Sequence, residues 1–163
     1  MFTATFFISV IYLFLKLFSG RNKKTRNRRP PFKKLYDLDK HQPITEFERK
    51  MVRGMFAENR EIFVTAFVTE THVLRVTATI GSKYSCRASD NINLWGVKAQ
   101  KIGASKIRQY HNHPDVFGRS FPSNTDKKGH RNLKPFIERH DIEFQSLLVY
   151  KSWFGKAVIK EYH

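Results

Sequence analysis

The stretch that most restricts the fold is Tyr110-His111-Asn112-His113-Pro114, with Pro122-Ser123-Asn124-Thr125-Asp126 a short loop later. Side chains alternate along extended backbone, so His111 and His113, at i and i+2, point to the same side. Pro114 disfavours helical backbone at the residue before it, which keeps His113 extended and the pair of side chains parallel. The chain must therefore supply a strand that ends on this pair. A helix should follow, with Ser123 and Asp126 placed to cap its start. Two imidazole nitrogens and a carboxylate oxygen form a donor set that zinc accepts. Three protein ligands leave a fourth position open, as in a catalytic rather than a closed structural site. The ordinary alternatives are surface histidines and a plain capping pair, and capping is compatible with a ligand role for Asp126.

Around this stretch the patterning predicts one α/β (α+β) domain over residues 43–163. Pro43-Ile44-Thr45 opens a helix in which Thr45 is the expected cap and Glu48 completes a capping box. Phe47, Met51, Val52, Met55 and Phe56 form its apolar stripe, and Asn59-Arg60 its end. Residues 62–69 are rich in β-branched and aromatic side chains and read as a strand. After a turn at Glu70-Thr71, residues 72–80 read as a second strand, with Val73, Arg75, Thr77 and Thr79 alternating against Leu74, Val76, Ala78 and Ile80. A short strand over 83–87, a cap at Ser89-Asp90-Asn91 and a helix over 92–104 follow, the helix weakened by Gly96 and Gly103. Residues 105–110 make the strand that carries the histidines. A helix then runs from Asn124 to about His140 with an interruption at Pro135. Strands over 144–150 and 156–162 join through Ser152-Trp153-Phe154-Gly155. Strands mixed with a few helices point to a mixed β-sheet flanked by helices.

His-Asn-His-Pro followed by Ser-x-x-Asp resembles the JAMM/MPN (JAB) zinc metalloprotease family, and His-Asn-His-Pro is the form found in its bacterial RadC-like branch. The resemblance covers roughly residues 45–162 and implies a JAB/MPN-like fold. It implies Zn2+ held by His111, His113 and Asp126, with Ser123 beside them to stabilise an oxyanion, a contact worth about 3 kcal/mol. It also implies an upstream glutamate acting on the zinc-bound water. Glu58, Glu61 and Glu70 are the candidates. The family's glutamate sits where the first helix ends and a core strand begins, which matches Glu61 in Arg60-Glu61-Ile62-Phe63. The gap from His113 to Asp126 is two residues longer than the family's usual one, and Gly118, Arg119 and Ser120 lie in that longer loop. The implied activity is hydrolysis of an amide or isopeptide bond at the C-terminus of a ubiquitin-like or sulfur-carrier-like protein. Bacterial members often accompany such conjugation systems in phage defence. The alternative is a RadC-like binding module that holds nucleic acid and keeps the metal for structure.

Two further residues have plain readings. His130, one turn after Asp126 on the same helix face, reads as a solvated histidine rather than a substitute ligand. Cys86 is the single cysteine, which excludes an intrachain disulfide and suits a reducing compartment.

The first 34 residues read differently. Residues 1–19 are almost wholly apolar, with Lys16 as the only charge, and a helix of that length covers roughly 28 Å, enough for a bilayer core of about 30 Å. Arg21, Lys23, Lys24, Arg26, Arg28, Arg29, Lys33 and Lys34 follow without an acidic residue. Positive charge beside a span is retained on the cytoplasmic side. The expectation is a single-pass membrane anchor over 1–19 and a basic linker over 20–42, with the domain on the cytoplasmic side. A cleaved signal peptide is the rival, but a basic stretch before the apolar run and a small-residue cleavage site are both missing. Nine of the chain's thirty Lys and Arg and none of its fourteen Asp and Glu fall in these 34 residues, so they supply +9 of the net +16. That run favours anionic lipid, with nucleic acid as the second possible partner.

Overall fold

The computed structural model describes residues 41–82, 85–86, 94–114 and 120–163. In chain order these form strand β1 (Gln42–Pro43), helix α1 (Ile44–Met55), β2 (Ile62–Val68), β3 (His72–Ile80), α2 (Trp95–Lys101), β4 (Lys106–Asn112), α3 (Asn124–Glu138), β5 (Glu143–Lys151) and β6 (Ala157–Tyr162). The strands make one sheet in the order β1-β3-β2-β4-β5-β6. Its neighbours are antiparallel except β4 and β5, which run parallel, so the described residues build a mixed α+β domain on a mixed sheet. The anchor expected over 1–19, the linker as far as residue 40 and the cap at Ser89-Asp90-Asn91 lie outside the described residues, as does most of the strand expected over 83–87. Among the described residues, no helix is long and apolar enough to cross a membrane. Gln42, expected as the linker's last residue, pairs with Val73 in β1.

Alternation along the strands splits the apolar residues between the two faces of the sheet. Ile62, Val64, Ala66 and Val68 of β2 pack with Phe47, Met51 and Met55 of α1. Phe67, Ile107 and Phe144 pack instead with Trp95 and Ala99 of α2 and Ile137 of α3. Burying each such large side chain contributes about 1.5–3 kcal/mol. The expected alternation along β3 breaks at one residue. Phe67 pairs with Arg75 but Val68 with Val73, which leaves Leu74 as a bulge. Val73 therefore joins Val76, Ala78 and Ile80 on the α1 side, while Leu74 packs against the α2 and α3 cluster.

Two helix readings change. Helix α1 starts at Ile44, one residue before the expected cap Thr45. Its N-cap is Pro43, with no side-chain cap. The proline's fixed φ presets the helical entry, and the first N–H is satisfied when Ile44 N donates to Thr71 O at 3.0 Å. Glu48 is thereby released from capping. The helix also stops at Met55, which leaves Glu58 in the following turn rather than inside it. Helix α3 passes through Pro135 without interruption and ends at Glu138. The lost N–H falls in its last turn, where few helical bonds remain to break. Helix α2 is shorter than expected and ends before Gly103, whose φ of 73° is the left-handed stop that glycine accommodates.

Candidate metal centre

His111 lies one residue before the end of β4, between Phe63 of β2 and Leu148 of β5. Its side chain faces the layer of α2 and α3. His113 follows just past the strand and, two residues on, reaches the same side. Helix α3 begins at this end of the sheet with Ser123 as N-cap and Asp126 three residues later. The result is a compact group: His111, His113 and Asp126 each offer a ligand atom, and all three atoms lie within 4.8 Å of one another. Asp126 Oδ2 is 3.5 Å from His111 Nε2 and 3.6 Å from His113 Nε2.

This group can hold a metal ion. Tetrahedral zinc with bonds of ~2.0–2.1 Å would set its ligand atoms about 3.3 Å apart, close to the separations from Asp126. His111 Nε2 is buried and has no hydrogen-bond partner, a costly state for a polar atom. An ion between the three residues would satisfy it. Two imidazoles and one carboxylate also suit zinc better than calcium or magnesium, which take mostly oxygen ligands.

The surroundings orient the ligands. Phe63 stacks on His111, with ring centres 5.1 Å apart and 21° between planes. The Tyr162 hydroxyl lies 3.4 Å from His111 Nδ1, a contact that favours presenting Nε2 outward. Burial first, then the charge of Asp126, pushes the Tyr162 phenol up, so it stays protonated. Asp126 is gripped by the helix cap: Ser123 N and Ser123 Oγ both donate to its Oδ2 at 2.7 Å, and Asp126 N donates to Ser123 Oγ at 3.1 Å. The Ser123 hydroxyl is thus itself part of the cap, donating to Asp126 Oδ2 and accepting from Asp126 N. Burial acts to raise the Asp126 carboxyl. The two imidazoles and Ser123 outweigh that effect and hold it well below the usual carboxylate range.

Of the three glutamates weighed as base, Glu61 reaches the centre, with Oε1 3.8 Å from His113 Nε2. Glu58 pairs with Arg60 at 3.0 Å, and Glu70 accepts from Ser105 Oγ at 3.2 Å, just beyond the other end of β2. Burial holds the Glu61 carboxyl above its ordinary value, against the pull of His113 and His111. Its backbone is fixed on both sides by Asn112, the residue between the two histidines. Asn112 is fully buried; its Oδ1 accepts from Ile62 N at 2.8 Å and its Nδ2 donates to Arg60 O at 3.3 Å. Gly81 lets the 85–86 segment close over Glu61: a Cβ there would sit 2.1 Å from Ser85 O. Asn112, Phe63 and Tyr162 are the functional neighbours that sequence reasoning missed. Only the in-line position of Asn112 between the histidines offered a signal.

His130, expected in solvent, is buried. Its Nδ1 lies 2.9 Å from Ser146 Oγ and its ring stacks on Phe144. Burial, then the positive charge of Lys134, pushes its pKa down. It is part of the core beneath the site. Cys86 is half-buried and its thiol donates to Thr79 O at 3.3 Å. A pocket of about 170 Å³ opens beside His113 and Pro114, lined also by Phe56, Glu58, Asn59 and Lys151. No protein-family model matches the chain, and no curated protein matches its sequence.

Proposed function

We propose that this chain is a zinc-dependent hydrolase of the JAMM/MPN kind that its motifs resemble, cutting an amide or isopeptide bond at the C-terminus of a ubiquitin-like protein. The observation that carries the reading is the convergence of His111, His113 and Asp126, with Glu61 beside them. His111 and His113 would hold the ion through Nε2, and Asp126 through its carboxylate. Bound zinc supplies Lewis acidity toward a carbonyl oxygen and makes water acidic enough to attack at neutral pH. Glu61 accepts the proton of the attacking water and returns it to the leaving nitrogen. Its burial favours the first step, because a carboxyl held above its ordinary value is the stronger base. The Ser123 hydroxyl, once turned from Asp126, donates to the oxygen that gains charge as the carbonyl carbon becomes tetrahedral. The substrate tail reaches the centre past the pocket at His113 and Pro114. Residues 1–34 tether the domain to the cytoplasmic face of a membrane.

The test is cleavage of a linear ubiquitin-like fusion by the full-length protein, read by mass spectrometry. Wild type should cut after the ubiquitin-like tail. Glu61→Gln should keep its zinc and lose about 10²–10⁴ in turnover. An intact fusion with zinc-loaded wild type would contradict the reading. Salt-sensitive DNA binding in its place would point to the nucleic-acid alternative.

A further inference from the structure

The β5–β6 hairpin ends in two aromatic side chains that face water. Trp153 is 89 % exposed and Phe154 86 %. The turn that presents them is ordered: Ser152 N donates to Lys156 O at 2.7 Å, Gly155 N to Ser152 O at 2.8 Å, and Lys156 N to Ser152 Oγ at 3.2 Å. Gly155, at φ 73°, closes it. Among the described residues, the exposed rings of Phe121 and Phe136 each carry a cation over one face: Lys160 lies 5.3 Å from the centre of Phe121, and Arg139 5.1 Å from that of Phe136. Exposing two adjacent large aromatics on a fixed turn is costly unless something receives them.

We propose that this tip seats in the interface of an anionic lipid bilayer. Along the chain that forms the tip, the charge is of one sign. From residue 144 to residue 160 the chain has Lys151, Lys156 and Lys160 and no Asp or Glu. Lys151 and Lys156, both exposed, stand at the base of the tip. Trp and Phe above lysines is the pattern of a surface-seated segment, with rings among the headgroups and long basic stems reaching back to phosphates. The tip is convex and only two residues wide, so it fits a yielding surface better than a preformed protein cleft. Forty residues precede His41, among them the apolar run and eight clustered basic residues read above as a membrane tether. A tethered domain meets lipid at high effective concentration, so a contact too weak to recruit the protein alone suffices to orient it. Lys151 also lines the pocket beside His113, so a seated tip holds the mouth of the candidate metal centre close to the lipid surface.

The chain's two tryptophans allow a direct test. Trp95 is buried at 2 % exposure and sheltered from aqueous quenchers, so Trp153 dominates the accessible signal. Full-length protein is placed on vesicles of phosphatidylcholine with phosphatidylglycerol, with acyl chains brominated near the glycerol. Trp153→Ser serves as the background. The expected result is a blue shift of Trp153 emission, quenching by the brominated chains and lost access to acrylamide. Lys151→Gln and Lys156→Gln should each weaken tip seating about fivefold, with the tether unchanged in all variants. Trp153 left open to acrylamide and untouched by bromine would overturn the proposal. Failure of the protein to associate with the vesicles at all would overturn it too. Shielding that arises only on adding a ubiquitin-like fusion, without bromine quenching, would assign the tip to a protein partner instead of lipid.

Discussion

Helices α1 and α3 carry the same kind of pattern at their starts, Thr45-x-x-Glu48 and Ser123-x-x-Asp126, and use it in opposite ways. At α3 the pattern closes into a reciprocal cap, and the carboxylate that completes it also faces the two histidines. At α1 the backbone and Pro43 do the work, and the carboxylate is free to reach elsewhere. Glu48 Oε1 accepts from the Tyr110 hydroxyl at 2.8 Å and from Arg108 Nη1 at 3.1 Å, on the face of the sheet opposite the candidate metal centre. One acidic residue is held in place by its own helix and spent on a site. The other is held by β4 and spent on joining α1 to the sheet. What separates them is where the chain enters each helix: the short descent from Pro122 leaves Ser123 extended, whereas Pro43 is already paired in β1.

Substitutions can break this comparison or sharpen it. Asp126→Ala should have the largest effect, lowering zinc affinity by more than the ~10–100-fold that losing a supporting partner costs. Glu48→Ala should leave zinc binding unchanged and cost about 1–3 kcal/mol in denaturant unfolding, because it strands the buried Tyr110 hydroxyl. Equal zinc loss in both would erase the distinction. Asn112→Ala should cost a similar ~1–3 kcal/mol by orphaning the buried Ile62 N–H. It should also lower turnover with metal content kept, since Asn112 holds Glu61 rather than the ligands. Smaller again, Ser123→Ala should cost about 1 kcal/mol as a lost cap, while Thr45→Ala stays within about 0.5 kcal/mol. The smallest effect is on pH dependence. His130 is buried with its pKa lowered, so the unfolded chain binds the proton first as pH falls. Stability should therefore be full above about pH 6.5 and decline below it, and His130→Gln should flatten that decline in urea titrations from pH 7.5 to 5.

The parts of this molecule legible from sequence are those written in short range. His111, His113 and Asp126 share a stretch in which strand alternation, a proline and a helix cap act within a few residues of one another, so their convergence follows from local rules. The order and type of the main elements follow from the same periodicities. What escaped depends on distant partners. Asn112 acquires its role from Ile62, 50 residues earlier in the chain, and His130 is drawn inside by Ser146, 16 residues later. The bulge at Leu74 inserts one residue and reverses the phase of β3, which no pattern within that strand announces. The start of α1 is decided by Thr71, whose carbonyl takes the Ile44 N–H and so lets the helix begin before the expected cap Thr45. Glu61 lies between these cases: its position at the start of β2 is readable, but its approach to His113 depends on the clamp by Asn112.

The most direct measurement of the central claim is the zinc content of the purified full-length protein, taken by elemental mass spectrometry beside His111→Ala and His113→Ala. One zinc per wild-type chain, lost from both variants while their folds persist by circular dichroism, is the result expected. A folded wild type that holds no zinc when the metal is supplied, or zinc that survives removal of either imidazole, would contradict it.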